Sequence, residues 1–415
     1  MESPSLTNIL CGGVLVVYML SSSTFLSGAA AANDDETAVP AMFVFGDSLV
    51  EVGNNIYIPT STNRANYPHN GIDFPNHEAT GRWCNGKNSA DWLAERFGVP
   101  SPPPYLSLDT KTASSYMAGA SFASAGSLLL NSSLQNPNAS IGFADQVGYY
   151  ETVYQVLTSE MGSAEAKTLL SKSIFVIVIG SNDIFTYQAN TASSETQTIP
   201  PSDFTNLMAD NIKEYVTVSY NSKLDPSSIC SFSITQQTAF CQELVDPNNL
   251  IELQNPMQAL YEHGARKFVV AGAPLLGCTP MVRRKFQTHE ACSEPHNSMA
   301  ATYNQQLQNV LADLETHLPN SSCSYLDTFN ILQDLIQNPA PHGFEEVAAA
   351  CCGIGYLRAL IPCFPFSLYC SNRSDHVFWD FVHPTEAAAK LIVDAFFDGL
   401  SSHHDNLSLK QMAAT

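Results

Sequence analysis

The chain has 415 residues, 45% of them hydrophobic and 14% charged, enough apolar surface for one large α/β domain or two smaller ones and too much for a disordered chain. Its 18 basic and 39 acidic residues leave a formal net charge of −21. No cationic excess is left to neutralise phosphates, which excludes nucleic acid as a partner and argues against anionic membranes.

A leader comes first. Ile9 to Leu20 is an apolar run too short to span a bilayer comfortably, and Ala29 to Ala32 supplies small residues for signal-peptide cleavage near Ala31 or Ala32. Glu2 is acidic and no Lys or Arg precedes the run, so a signal anchor is the competing reading. No later segment is long and apolar enough to span, so no stable membrane insertion is expected.

Short β-branched or aromatic runs then alternate with amphipathic stretches, the pattern of βαβ units and a parallel sheet. The first strand is predicted at Ala41 to Phe45 and runs into Gly46-Asp47-Ser48. Residues Asn54 to Asp73, rich in Asn, Pro and Thr, read as a surface loop. The second strand, Tyr116 to Ala120, leads into Ser121-Phe122-Ala123-Ser124-Ala125-Gly126. Helices over Asp145 to Leu157 and Ala164 to Ser171 precede a third strand, Ser173 to Ile179, which ends in Gly180-Ser181-Asn182-Asp183. A helix over Ser202 to Tyr215 is followed by a stretch of mixed polarity, Asn221 to Asn249, holding Cys230 and Cys241. Then come a helix at Met257 to His263, a strand at Lys267 to Ala271, a helix at His296 to His317 and a fifth strand at Ser324 to Asp327. Near the end, Asp380-Phe381-Val382-His383-Pro384 leads into a helix over Thr385 to Phe397, with Pro384 suited to its first turn. The tail after Leu400 has too little apolar surface to dock and is expected to fray. No internal repeat is visible.

Ligands of open parallel sheets bind beyond the carboxyl ends of the strands, near the switch in strand order. With the first strand between the second and third, Ser48, Gly126 and Asn182 converge on one crevice. A serine hydroxyl needs a base to take its proton, and that base needs an orienting partner. Asp380 and His383, three residues apart on a turn, supply both. Developing oxyanion charge needs fixed donors, which the backbone N–H groups of Ser48 and Gly126 and the amide of Asn182 provide. Each motif has a bland counterpart: Asp-x-x-His as a surface pair, Gly-Asp-Ser as an ordinary loop, Asn182-Asp183 as a helix cap. Their order along the chain, each after a strand, favours the chemical reading.

Once Cys11 leaves with the leader, ten cysteines remain, an even set suited to an oxidising compartment and without Cys-x-x-Cys pairs for zinc. All are expected oxidised, with Cys278 joined to Cys292 and Cys230 to Cys241 because each pair closes a short loop. Adjacent Cys351 and Cys352 should each find a more distant partner. Sequons at Asn131, Asn138, Asn320, Asn372 and Asn406 are candidate N-glycosylation sites.

Phe43-Val44-Phe45-Gly46-Asp47-Ser48-Leu49-Val50, Gly53-Asn54-Asn55, Gly180-Ser181-Asn182-Asp183 and Asp380-Phe381-Val382-His383-Pro384-Thr385 resemble the characteristic blocks of the GDSL, or SGNH-hydrolase, esterase/lipase family. Thr80 to Lys87, Gly264-Ala265-Arg266-Lys267, Gly277-Cys278-Thr279-Pro280 and Ala350-Cys351-Cys352-Gly353 resemble its plant branch, and the resemblance runs from about Met42 to Gly399. It implies a three-layer α/β/α sandwich around a flavodoxin-like, five-stranded parallel sheet. It also implies Ser48, Asp380 and His383 as catalytic triad, with Ser48, Gly126 and Asn182 as oxyanion hole. Gly-x-Ser-x-Gly, the nucleophile elbow of ordinary α/β-hydrolases, is absent from the sequence. Glu51 stands where plant members usually carry Asp, a change expected to lie outside the chemistry, and Ser121 replaces the usual Asn. Asn221 to about Asn255 reads as an insertion, favoured as a surface loop, with a lid over the crevice or an artefact of gene prediction as alternatives.

The expected organisation is a signal peptide over 1–32, an SGNH hydrolase domain over 41–400 and a flexible tail over 401–415. The expected protein is a secreted, monomeric serine esterase without metal or organic cofactor, acting on lipid or other acyl esters through a Ser48 acyl-enzyme. The alternatives are acyl transfer to an alcohol, as in forming cutin-type or terpenoid esters, and a wall-binding protein whose triad is vestigial.

Overall fold

The first strand, β1 (Met42–Gly46), turns Phe43 and Phe45 to one face and Met42 and Val44 to the other, and all are fully buried. A strand apolar on both sides is read as central in a sheet covered on both faces. The computed structural model describes residues 39–108, 111–130, 139–193, 199–213, 256–287, 291–399 and 408–414, and in it β1 is such a strand. β2 (Gly119–Ser121) and β3 (Ile174–Val178) flank it, followed outward by β4 (Lys267–Ala271) and β5 (Ser322–Leu326). The order β2-β1-β3-β4-β5 is parallel throughout, with Val44 opposite Val176 and Val176 opposite Val269.

Helices cover both faces, giving the three layers expected. In chain order they are α1 (Ser89–Phe97), α2 (Ala113–Tyr116), α3 (Phe143–Met161), α4 (Ser163–Lys172), α5 (Ser181–Ser193) and α6 (Pro201–Lys213). After them come α7 (Pro256–Glu262), α8 (Pro280–Lys285), α9 (Glu294–His317), α10 (Thr328–Gln337), α11 (Glu386–Phe397) and α12 (Leu409–Ala413). Phe43, Phe45, Phe175, Ile177, Phe268 and Val270 form one core with α3, α4 and α9. Met42, Val44, Val176 and Val269 form the other with α1, α11 and α12. Among the described residues, four short strands lie outside the main sheet: β6 (Glu346–Ala350) beside β9 (His376–Phe378), and β7 (Cys352–Gly353) beside β8 (Leu368–Tyr369).

The structure corrects several expectations. Tyr116 ends the short α2, and the second strand begins only at Gly119, whose φ of 101° and contact with the Met42 backbone admit no side chain. The fifth strand starts two residues early, at Ser322, and Asp327 instead caps α10 by accepting from the Asn330 N–H. Pro384 precedes the first helical turn of α11, whose N-cap is Thr385, accepting from Ala388 N at 3.2 Å. The expected surface loop from Asn54 begins with a 3-10 turn in which Asn54 and Asn55 are buried. Residues 408–414 of the tail do not fray. Ser408 and Gln411 form a capping box, and α12 buries Leu409 and Met412 in the second core.

Cys278 is joined to Cys292 as expected, while Cys351 and Cys352 pair with Cys370 and Cys363. The expectation that every cysteine is oxidised does not hold. Cys84 and Cys323 are free, buried thiols, each enclosed in its own part of the fold. Cys230, Cys241 and the 221–255 segment lie outside the described residues, as do Asn131, Asn138 and Asn406; Asn320 and Asn372 are exposed. Among the described residues no helix is long and apolar enough to cross a membrane.

Candidate active site

Ser48 sits just past the end of β1, where the chain turns sharply. Gly46 has φ 144°, and a β-carbon there would lie 2.0 Å from Val178 O, so only glycine lets β1 and β3 close at this point. Asp47 N donates to Val178 O at 3.0 Å, and the Asp47 carboxylate accepts from Leu49 N at 3.0 Å, fixing the turn that presents Ser48. Buried Gln146, on α3, brackets Gly46: its amide oxygen accepts from Gly46 N at 2.8 Å while its nitrogen donates to Gly46 O at 2.9 Å.

His383 arrives from the other end of the chain. Its Nε2 lies 2.7 Å from Ser48 Oγ, and its Nδ1 lies 2.8 Å from both carboxylate oxygens of Asp380. Asp380 Oδ1 also accepts from Val382 N at 2.9 Å and His383 N at 2.8 Å, closing the Asp-x-x-His turn on its own carboxylate. Trp379 N donates to His383 O, so the same turn is anchored at both ends. With Nδ1–H held by the carboxylate, Nε2 is left to accept the serine proton. Asp380 and His383 are buried, whereas Ser48 is half-exposed. The Trp83 indole stacks on the imidazole, with ring centroids 5.2 Å apart and planes at 28°.

The Gly126 loop, beyond β2, and Asn182, beyond β3, meet across the end of the intervening β1. Asn182 is the second residue of α5, not its cap, and its amide donates to Ser127 O at 3.0 Å, beside Gly126. Asp183, adjacent and buried, accepts from Leu129 N and Leu130 N, which holds the Gly126 loop against α5. Gly126 takes φ 81°, and a β-carbon there would press on the Asn63 amide. The peptide joining Ala125 to Gly126 is aimed by Asn55, whose Nδ2 donates to Ala125 O at 3.0 Å and so turns the opposing Gly126 N–H the other way. Glu51 ties both partners together, its oxygens accepting from Asn55 N and Ala125 N at 2.7 Å each. Glu51 is therefore part of the support of this loop, a role outside the chemistry itself.

Besides Asp380, three carboxyls near the crevice are buried among the described residues: Asp47, Asp183 and Glu51. Burial pushes Asp47 up to about 6 despite the Leu49 N–H. It pushes Asp183 to about 7 against the Leu129 and Leu130 amides, and Glu51 to about 8 against those of Asn55 and Ala125. Glu51, Asn55, Gln146 and Trp83 are residues that sequence reasoning did not assign. Only Asn55 and Trp83 carried a signal, as parts of the Gly-Asn-Asn and Gly-Arg-Trp runs that resemble family blocks. Among the described residues no group of three or more His, Cys, Asp or Glu side chains is arranged to hold a metal.

The model of the GDSL-like lipase/acylhydrolase family matches residues 42–396. A GDSL esterase/lipase of Arabidopsis thaliana is 38% identical over 94% of this chain and 93% of its own length. Another from the same plant is 33% identical over 93% of both chains, and its GDSL esterase/lipase 7 is 31% identical over 96% of this chain and 99% of its own.

Proposed function

This chain belongs to the GDSL-like lipase/acylhydrolase family and is a serine ester hydrolase, and we propose that it cleaves acyl esters through a covalent intermediate on Ser48. The observation that carries this reading is the unbroken chain Asp380–His383–Ser48, with 2.8 and 2.7 Å links. In the first step His383 Nε2 takes the hydroxyl proton as Ser48 Oγ attacks the ester carbonyl. Asp380 stabilises the imidazolium that forms. The backbone N–H groups of Ser48 and Gly126 and the Asn182 amide receive the oxyanion. Collapse expels the alcohol, which leaves with the proton from His383. Water, deprotonated by the same nitrogen, then attacks the acyl-enzyme and releases the acid.

The substrate is an acyl ester of lipid or small-molecule kind. Three disulfides among the described residues and the leader-like start of the chain support export to the cell exterior or wall. A single domain with an N-terminal signal over 1–32 is the organisation that fits the sequence best. Offering the enzyme a dissolved p-nitrophenyl ester with and without a primary alcohol tests the reaction. Free acid should remain the main product at low alcohol. A product pool dominated by the new ester would replace hydrolysis with acyl transfer.

A further inference from the structure

Five large hydrophobic side chains crowd into one solvent-exposed loop. Tyr356, Leu360, Phe366, Leu368 and Tyr369 all lie between the start of β7 and the end of β8, with Phe366 and Leu368 68% and 72% exposed. A soluble surface seldom concentrates such groups without a partner.

The loop is built to keep them outside. Cys351–Cys370 and Cys352–Cys363 clamp its base. Ile354 and Ile361 bridge across it, the Arg358 guanidinium donates to Cys351 O, and Phe364 N donates to Ser367 Oγ. With its backbone tied internally, the loop has no slack to fold its apolar side chains inward.

It is also continuous with the active site. Cys352 N donates to Trp379 O at 2.7 Å, one residue before Asp380. Phe364 stacks beside Phe366 on one side and meets the Tyr67 ring, 6.0 Å away, on the other. Tyr67 in turn lies near enough to Asp380 to feel its charge.

Charge selects among occupants. From Ile354 to Ser374 there is no Asp or Glu, only Arg358 and Arg373, on a molecule of net charge −21. A second copy carrying the same −21 is repelled, whereas an uncharged apolar phase is not. We propose that the 354–369 loop is an interfacial anchor that docks the enzyme on a neutral lipid surface, bringing aggregated acyl esters to Ser48. The proposal rests on the ester-hydrolase reading of the Ser48 site.

Flotation with phosphatidylcholine vesicles tests it, together with turnover of emulsified tributyrin and of dissolved p-nitrophenyl acetate. The parent should float, and the double variant Phe366→Ser/Leu368→Ser should lose vesicle binding about tenfold or more, as expected when two large apolar groups no longer enter the lipid. Emulsion turnover should fall in parallel while acetate turnover stays at the parent rate, which also shows that the variant is folded. A parent that does not float, or a variant that floats and hydrolyses emulsion like the parent, overturns the anchor. So does a parent that sediments as a dimer and a variant that sediments as a monomer, because the loop would then face a second copy. Absent acetate turnover in the parent would instead defeat the ester-hydrolase reading, with flotation still reading the loop separately.

Discussion

Asn182 has one amide nitrogen and two calls on it. One hydrogen goes to Ser127 O, fixing the side chain, and in the proposed mechanism the other meets charge that appears only during the reaction. Asn182→Ala should therefore lower kcat roughly 10²- to 10³-fold with little change in KM. Because Asn182 lies inside α5 and does not cap it, the stability loss should be confined to about 1 kcal/mol for one hydrogen bond. Steady-state kinetics with a denaturant melt separate the two effects, and parent-like turnover in the variant removes Asn182 from the oxyanion hole. At this scale the residues proposed to react were legible as motifs, because an activated serine needs a base and that base an orienting carboxylate. Those that aim them were not. Glu51 and Asn55 act through contacts with Ala125, more than 65 positions away, and nothing local marks such a partner.

Among elements, the central strands were legible because β1, β3 and β4 are apolar on both faces and bounded by polar turns. β2 was misplaced because it is only three residues long and begins at a glycine, leaving too little pattern to set its edge. α12 was missed because its apolar face is just Leu409 and Met412, too small to register against a polar tail, yet both are fully buried. Met412→Ala should cost about 2 to 5 kcal/mol, as for other large-to-small core changes. Lys410→Ala, on the exposed side of the same helix, should stay within about 0.5 kcal/mol of the parent. Urea unfolding of the two variants decides it, since an undocked tail makes both silent. The free Cys84 and Cys323 teach the same lesson, because an even count of cysteines does not say which are within reach of each other.

Over the whole molecule, burial of charge shapes the response to pH. Asp47, Asp183 and Glu51 hold protons in the folded state up to about 6, 7 and 8, well above their ordinary 3.8, 3.8 and 4.5. The folded chain thus binds more protons than the unfolded one over that range, and stability falls as pH rises through it. His296, pushed down to about 4 by burial, works the other way: it releases its proton on folding and favours stability as pH climbs from about 4 to its ordinary 6.5. Three carboxyls outweigh one imidazole, and the self-repulsion of a −21 chain adds to them. The melting temperature should accordingly be highest near about pH 4 to 5 and decline toward pH 8, with a shallower decline in Glu51→Gln. Thermal unfolding scanned across pH reads this directly, and a melting temperature that rises from pH 5 to 8 would contradict it.

All of this converges on the serine beyond β1, and covalent labelling addresses it most directly. The parent and Ser48→Ala are treated with a fluorophosphonate, digested, and mapped by mass spectrometry. The account predicts a single stoichiometric adduct on Ser48 in the parent and none in the variant, with ester hydrolysis lost in step. An adduct of equal yield in Ser48→Ala, or ester turnover that survives the substitution, would contradict it.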